Sequence, residues 1–250
     1  MKNLNTDVLN NVCEEVKSSI VPFCEKLIEI HADNIKAIIL YGSATSKEFV
    51  PKKSNINVMI VFNNLGLNEL KKSLKLVAKG RKKRITAPLF LTMRHIETST
   101  DVFPIEFLEM KENHLLVYGE DILGEIKINQ ENIRLQCESQ IKGKLIRLRQ
   151  SYLEIGLKRK GIESLMIDSL TSLFPIFRNI LRLKGEAPPA TKEDVIKLMK
   201  NKFNINDQIF LNILRDKKGD EKIGEQPAEQ AFETYLEEIR KLALIVDELK

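Results

Sequence analysis

The chain has 250 residues, a mass of 28.7 kDa, 43% hydrophobic and 30% charged residues. That length holds one large domain or two of ordinary size, and that balance excludes a disordered, collagen-like or membrane-embedded chain. Its net charge is +5, and the excess has one location: between Asn129 and Gly161 eight bases face three acids, so the remainder sums to zero.

Along the chain, Val8, Val12, Val16, Ile20, Phe23, Leu27 and Ile30 recur three or four apart and predict a helix over 7–30. Short β-type runs follow at 37–41, 56–62, 89–92, 105–110 and 115–118, with a second helix over 67–78 between two of them. Beyond Asn129 nothing reads as a strand. Ile133, Cys137, Ile141, Leu145 and Leu148 form the stripe of a long helix, and 162–183 repeats that pattern with Pro175 inside it, where a kink or break is expected. Thr191 and Asp194 give a capping-box start, 216–227 reads as a polar loop, and 228–249 closes as the last helix. The amphipathic face of that helix would suit a dimer as well as a bundle.

The expected architecture is α+β: a mixed sheet flanked by helices over 1–126, then an all-α bundle over 127–250. The longest apolar runs are strand-length, residues 1–7 hold no signal core, and Cys13, Cys24 and Cys137 read as free thiols of a reducing compartment. A cytoplasmic protein with no membrane partner is expected. His31, His95 and His114 are scattered without ligand spacing, so no zinc site is expected. No Gly-x-x-x-x-Gly-Lys loop occurs either.

One segment points to chemistry. Leu40-Tyr41-Gly42-Ser43-Ala44-Thr45-Ser46 follows a strand and opens into a turn, and twelve residues after Ser43 come Asn55-Ile56-Asn57 at the head of the next strand. Glycine lets a backbone approach a phosphate, and serine with the following N–H groups can bond its oxygens. This arrangement resembles the nucleotidyltransferase superfamily of DNA polymerase beta type. There a strand ending in Gly-Ser is followed by an Asp-x-Asp pair, whose carboxylates share one strand face and hold magnesium. More narrowly, the segments Phe-Pro-Ile-Glu-Phe-Leu and Val-Tyr-Gly-Glu-Asp resemble a group of bacterial nucleotidyltransferase-like proteins.

The resemblance implies nucleotide binding by Gly42 and Ser43, with Lys142 and Arg149 of the helical half reaching a triphosphate, and magnesium with a nucleoside triphosphate as cofactors. It also implies a third carboxylate from a later strand, for which Glu106 fits best and Asp101 and Glu109 are alternatives. The departure falls on the metal pair, where Asn55 and Asn57 stand in place of both aspartates. An amide oxygen brings no charge, so the metal site reads as degenerate and the protein as a pseudoenzyme that binds nucleotide or regulates. The alternatives are an active transferase with a displaced carboxylate site acting on a small molecule or protein, and a scaffold for protein or RNA. No histidine lies in the helical half, against the RNase activity of helical domains paired with minimal nucleotidyltransferases. The basic run Lys79-Gly80-Arg81-Lys82-Lys83-Arg84 reads as a solvated helix end or an anion-facing patch.

Overall fold

The computed structural model of the protein describes residues 4–46, 49–156, 158–218 and 227–249. The chain divides into two compact units, one ending at Ile128 and the other starting at Asn129.

In chain order the first unit contains α1 (Glu14–His31), β1 (Ile35–Tyr41), β2 (Asn57–Phe62), α2 (Leu67–Arg81), β3 (Leu89–Thr92), α3 (Met93–Glu97), α4 (Pro104–Glu112), β4 (His114–Gly119) and α5 (Ile122–Glu125). The strands form one mixed sheet in the order β3-β2-β1-β4. Antiparallel pairing joins β1 to both β2 and β4, whereas β2 and β3 run parallel.

Both faces of this sheet are covered. Ile38, Leu40, Val58, Ile60 and Phe62 pack with Phe23 and Leu27 of α1. On the opposite face Ala37, Ile39, Met59 and Val61 meet Ile96, Phe107 and Met110 from α3 and α4. Side chains alternate between faces along a strand, so Ile38-Ile39-Leu40 must be apolar at every position. Gly80 permits a close approach of α2 to α1, because a Cβ there would stand 2.9 Å from the Phe23 ring.

Three expectations change. Residues 105–110 are helical, not a strand. Pro104 occupies the first turn of α4 with Glu106 behind it, and the buried positions Pro104, Phe107 and Met110 recur every third residue. The Ile105/Phe107 alternation mimicked a strand over too short a span to distinguish the two periods. At the N-terminus, Asp7–Asn11 is a separate 3₁₀ turn and α1 begins only at Glu14. Asn10-Asn11 is a poor helix interior, since Asn side chains compete for the backbone.

The second unit contains α6 (Gln130–Ile155), α7 (Arg159–Leu183), α8 (Lys192–Phe203), α9 (Asp207–Lys218) and α10 (Ala228–Glu248). Here the third expectation changes in part: of the kink or break expected at Pro175, no break occurs and α7 runs through it. Residues on both sides of Pro175, including Leu173, Phe174, Ile176 and Phe177, are at most 4% exposed, and such packing outweighs one missing helix hydrogen bond. A chain of edge-on rings runs Phe174–Phe177–Phe210–Tyr235, with centroids 5.6 to 6.0 Å apart. The buried Tyr235 hydroxyl donates to Ser169 Oγ at 2.9 Å. Thr191 caps α8 by accepting from the Asp194 N–H. The loop expected over 216–227 starts inside α9, and 219–226 lie outside the described residues.

Candidate functional site

Gly42 leaves β1 with φ +75°, a left-handed conformation that glycine adopts without strain. A 3₁₀ turn over Gly42–Thr45 follows at once. The turn is pinned from three directions. Gly42 N–H donates to the Asn113 carbonyl at 3.1 Å, Thr45 Oγ1 donates to the Gly42 carbonyl at 2.8 Å, and Ser46 N–H donates to the Ser43 carbonyl at 3.1 Å. Ser43 is half-buried, and its hydroxyl has no hydrogen-bond partner among the described residues.

The β1–β2 register sets Asn57 opposite Tyr41, the residue before that turn. Asn55 and Asn57 flank Ile56, whose side chain is fully buried, so strand alternation puts the two amides on one side. Their segment is zipped to the approach of β3: Ile56 N–H bonds the Arg84 carbonyl at 2.9 Å and Thr86 N–H bonds the Ile56 carbonyl at 3.0 Å. Arg84 Nε also donates to the Ser54 carbonyl at 3.0 Å. The last arginine of the basic run is therefore a clamp on the Asn55 loop.

The Thr86 hydroxyl completes the corner, 3.0 Å from Asn57 Oδ1 and 3.2 Å from the Ile56 carbonyl. With its oxygen turned to Thr86, Asn57 presents its NH₂ to the glycine turn. Nδ2 lies 3.3 Å from where a Cβ on Gly42 would stand. The corner is therefore a set of donors: Asn57 Nδ2, the Ser43 hydroxyl, and the Ser43 N–H at the start of a 3₁₀ turn. Among the described residues no group of three or more His, Cys, Asp and Glu side chains could hold a metal ion.

The structure brings Gly42 and Asn57 together, with Ser43 and Asn55 beside them. Glu106 instead sits exposed in the first turn of α4, and Asp101 lies exposed in the turn before it. In the second unit, Lys142 pairs with Glu138 at 2.5 Å and with Asp247 at 3.6 Å. The hydrogen bond to Glu138 raises the Lys142 ammonium above its ordinary value. Arg149 lines a cavity of about 590 Å³ beside Tyr152 and Phe232, whose rings stack at 4.8 Å.

Sequence reasoning missed Thr86, Asn113 and His114. Thr86 lies in no motif, and only the parallel pairing of β2 with β3 brings it to Asn57. His114 faces Tyr41 across the β1–β4 ladder, and burial raises the Tyr41 phenol above its usual value. Both His114 nitrogens are engaged, Nδ1 with the Lys111 carbonyl at 2.8 Å and Nε2 with Asp121 Oδ1 at 2.9 Å. Neither is left to reach a substrate. His114 and Asp121 act as a clamp where β4 meets α5, with Asp121 also accepting from the Gly124 N–H.

No protein-family model and no curated protein matches the sequence. Among solved structures, the fold matches that of a spectinomycin adenyltransferase from Enterococcus faecialis, crystallised with ATP and spectinomycin. The match has a TM-score of 0.52 at 12% identity and covers 89% of this chain and 98% of that one. At that identity the shared property is the fold, which in this chain is a mixed sheet with flanking helices followed by a helical region.

Proposed function

We propose that this protein is a nucleotide-binding, regulatory module on a nucleotidyltransferase fold, with the phosphates of its ligand held by hydrogen-bond donors. The observation that carries this reading is the orientation of Asn57. Its oxygen faces Thr86 and its NH₂ faces the Gly42 turn, so the corner offers protons where a metal site would offer anionic oxygens. A magnesium pair requires hard, charged oxygen ligands and near-octahedral geometry. The neutral set Asn55, Asn57 and Thr86 does not fit it.

The donors suit an anion. Ser43 Oγ, Asn57 Nδ2 and the Ser43 N–H, next after the Gly42 N–H that Asn113 takes, would each take a phosphate oxygen, and bonds to a charged group are the strong ones. The adenyltransferase of like fold was solved with ATP, so a nucleoside triphosphate is the ligand class to test first.

Calorimetric titration with the four ribonucleoside triphosphates, in magnesium and again in chelator, tests the reading. Binding that persists in chelator and is lost in Ser43→Ala supports it. Binding only with magnesium, accompanied by pyrophosphate release, would replace it by a working transferase using Glu106 or a neighbouring carboxylate. No binding under either condition would sink the nucleotide reading.

A further inference from the structure

Three leucines of α2 stand exposed among the described residues. Leu67, Leu70 and Leu74, spaced three and four apart, are 66%, 43% and 63% exposed. They form an apolar strip over two turns along the flank of the inward face that Ser73 and Gly80 mark.

Beside that strip runs a basic one. Lys71 and Lys75 follow the leucines in the next helical row, and the charge continues through Lys79, Arg81, Lys82 and Lys83. All six are exposed, and none of their side chains forms an ion pair or hydrogen bond with a described residue. The one acid of α2, Glu69, is turned back to accept from the Gly66 N–H at 3.0 Å. The outward face thus combines unpaired positive charge with exposed leucine, the composition of a helix that lies in a membrane interface.

We infer that this face of α2, extended by Lys82 and Lys83, docks on an anionic lipid bilayer surface. No described helix is long and apolar enough to cross a membrane, and an interfacial helix needs no such length. Leu67, Leu70 and Leu74 enter the boundary between headgroups and acyl chains. The lysine stems beside them reach up to the phosphate layer, as long cationic side chains do at such boundaries. A nucleic acid would leave the leucines unused, and α2 carries no aromatic ring on which a base could stack. A protein partner would have to match both strips in register over the same turns, whereas a bilayer supplies apolar and anionic layers everywhere along its surface.

Co-sedimentation of the full chain with vesicles of phosphatidylcholine alone, and of phosphatidylcholine with phosphatidylglycerol, tests this. The expected result is binding to the anionic vesicles only, weakened by salt. The double substitutions Leu70→Gln/Leu74→Gln and Lys71→Glu/Lys75→Glu should each reduce that binding by about tenfold or more. Unchanged thermal melting of both variants places the loss on the surface, since all four positions are exposed. Failure to sediment with anionic vesicles overturns the inference. So does binding that survives the leucine changes, which is bare charge attraction, and so does preference for an RNA oligomer or an acidic peptide over the vesicles.

Discussion

The hydroxyl of Thr86 donates to the side-chain oxygen of Asn57 at 3.0 Å, beside the Ile56–Ile85 bridge that leads into the parallel seam of β2 and β3. One consequence is chemical. That bond decides which end of the amide faces the glycine turn, and so whether the corner attracts an anion or a cation.

Asn57→Asp tests this at constant shape. The carboxylate still accepts from Thr86, but its second oxygen replaces the NH₂ facing Gly42. Nucleotide affinity measured in chelator should fall by about ten- to a hundredfold, the range for losing a hydrogen bond to a charged group. Magnesium should then strengthen binding, whereas in the parent protein it should matter little. An unchanged affinity in chelator would remove Asn57 from the phosphate contact.

Gly42→Ala should cost about 1–2 kcal/mol of stability in urea unfolding, because alanine is strained at a φ of +75°. The new Cβ would also crowd Asn57 Nδ2 at 3.3 Å, so nucleotide binding should weaken beyond the stability effect.

His31 and Ser73 form a buried link between α1 and α2, 2.8 Å apart, with the ring edge-on to Phe62. Ser73 donates to the Glu69 carbonyl, so His31 Nε2 is the donor to Ser73 Oγ. Burial, reinforced by Lys72 and opposed by Glu69, lowers its pKa from the ordinary 6.5. A histidine with a lowered folded-state pKa is protonated first in the unfolded chain, so stability is full above pH 6.5 and declines below it. Urea titrations between pH 8 and pH 5 should show that decline, and His31→Gln should flatten it. Ser73→Ala, which strands a buried donor, should cost about 1–3 kcal/mol.

In the helical unit, Tyr235 separates packing from hydrogen bonding. Burial pushes its phenol well above the usual range, so it remains a donor to Ser169 at all ordinary pH. Tyr235→Phe should cost about 0.5–1.5 kcal/mol, the net value of one such bond. Tyr235→Ala removes a fully buried ring from the aromatic chain and should cost about 3–5 kcal/mol. Thermal melts of the two variants distinguish the contributions.

Part of this architecture follows from neighbours along the chain alone. Leu40 to Ser46 reads as strand, glycine and turn because φ freedom and β-propensity are local properties, and the α6 stripe from Ile133 to Leu148 reads as a helix because its period spans many residues. Where a segment was short, local reading failed: Ile105-Glu106-Phe107 alternates like a strand, and only burial at every third position showed it to be α4. The character of the site depends on residues far apart in the chain. Asn55 and Asn57 were legible as an uncharged pair, but the direction of the Asn57 amide depends on Thr86, which belongs to no motif. The β2–β3 pairing that joins them is set by packing on both sheet faces, a property of the whole unit that no local stretch of sequence contains.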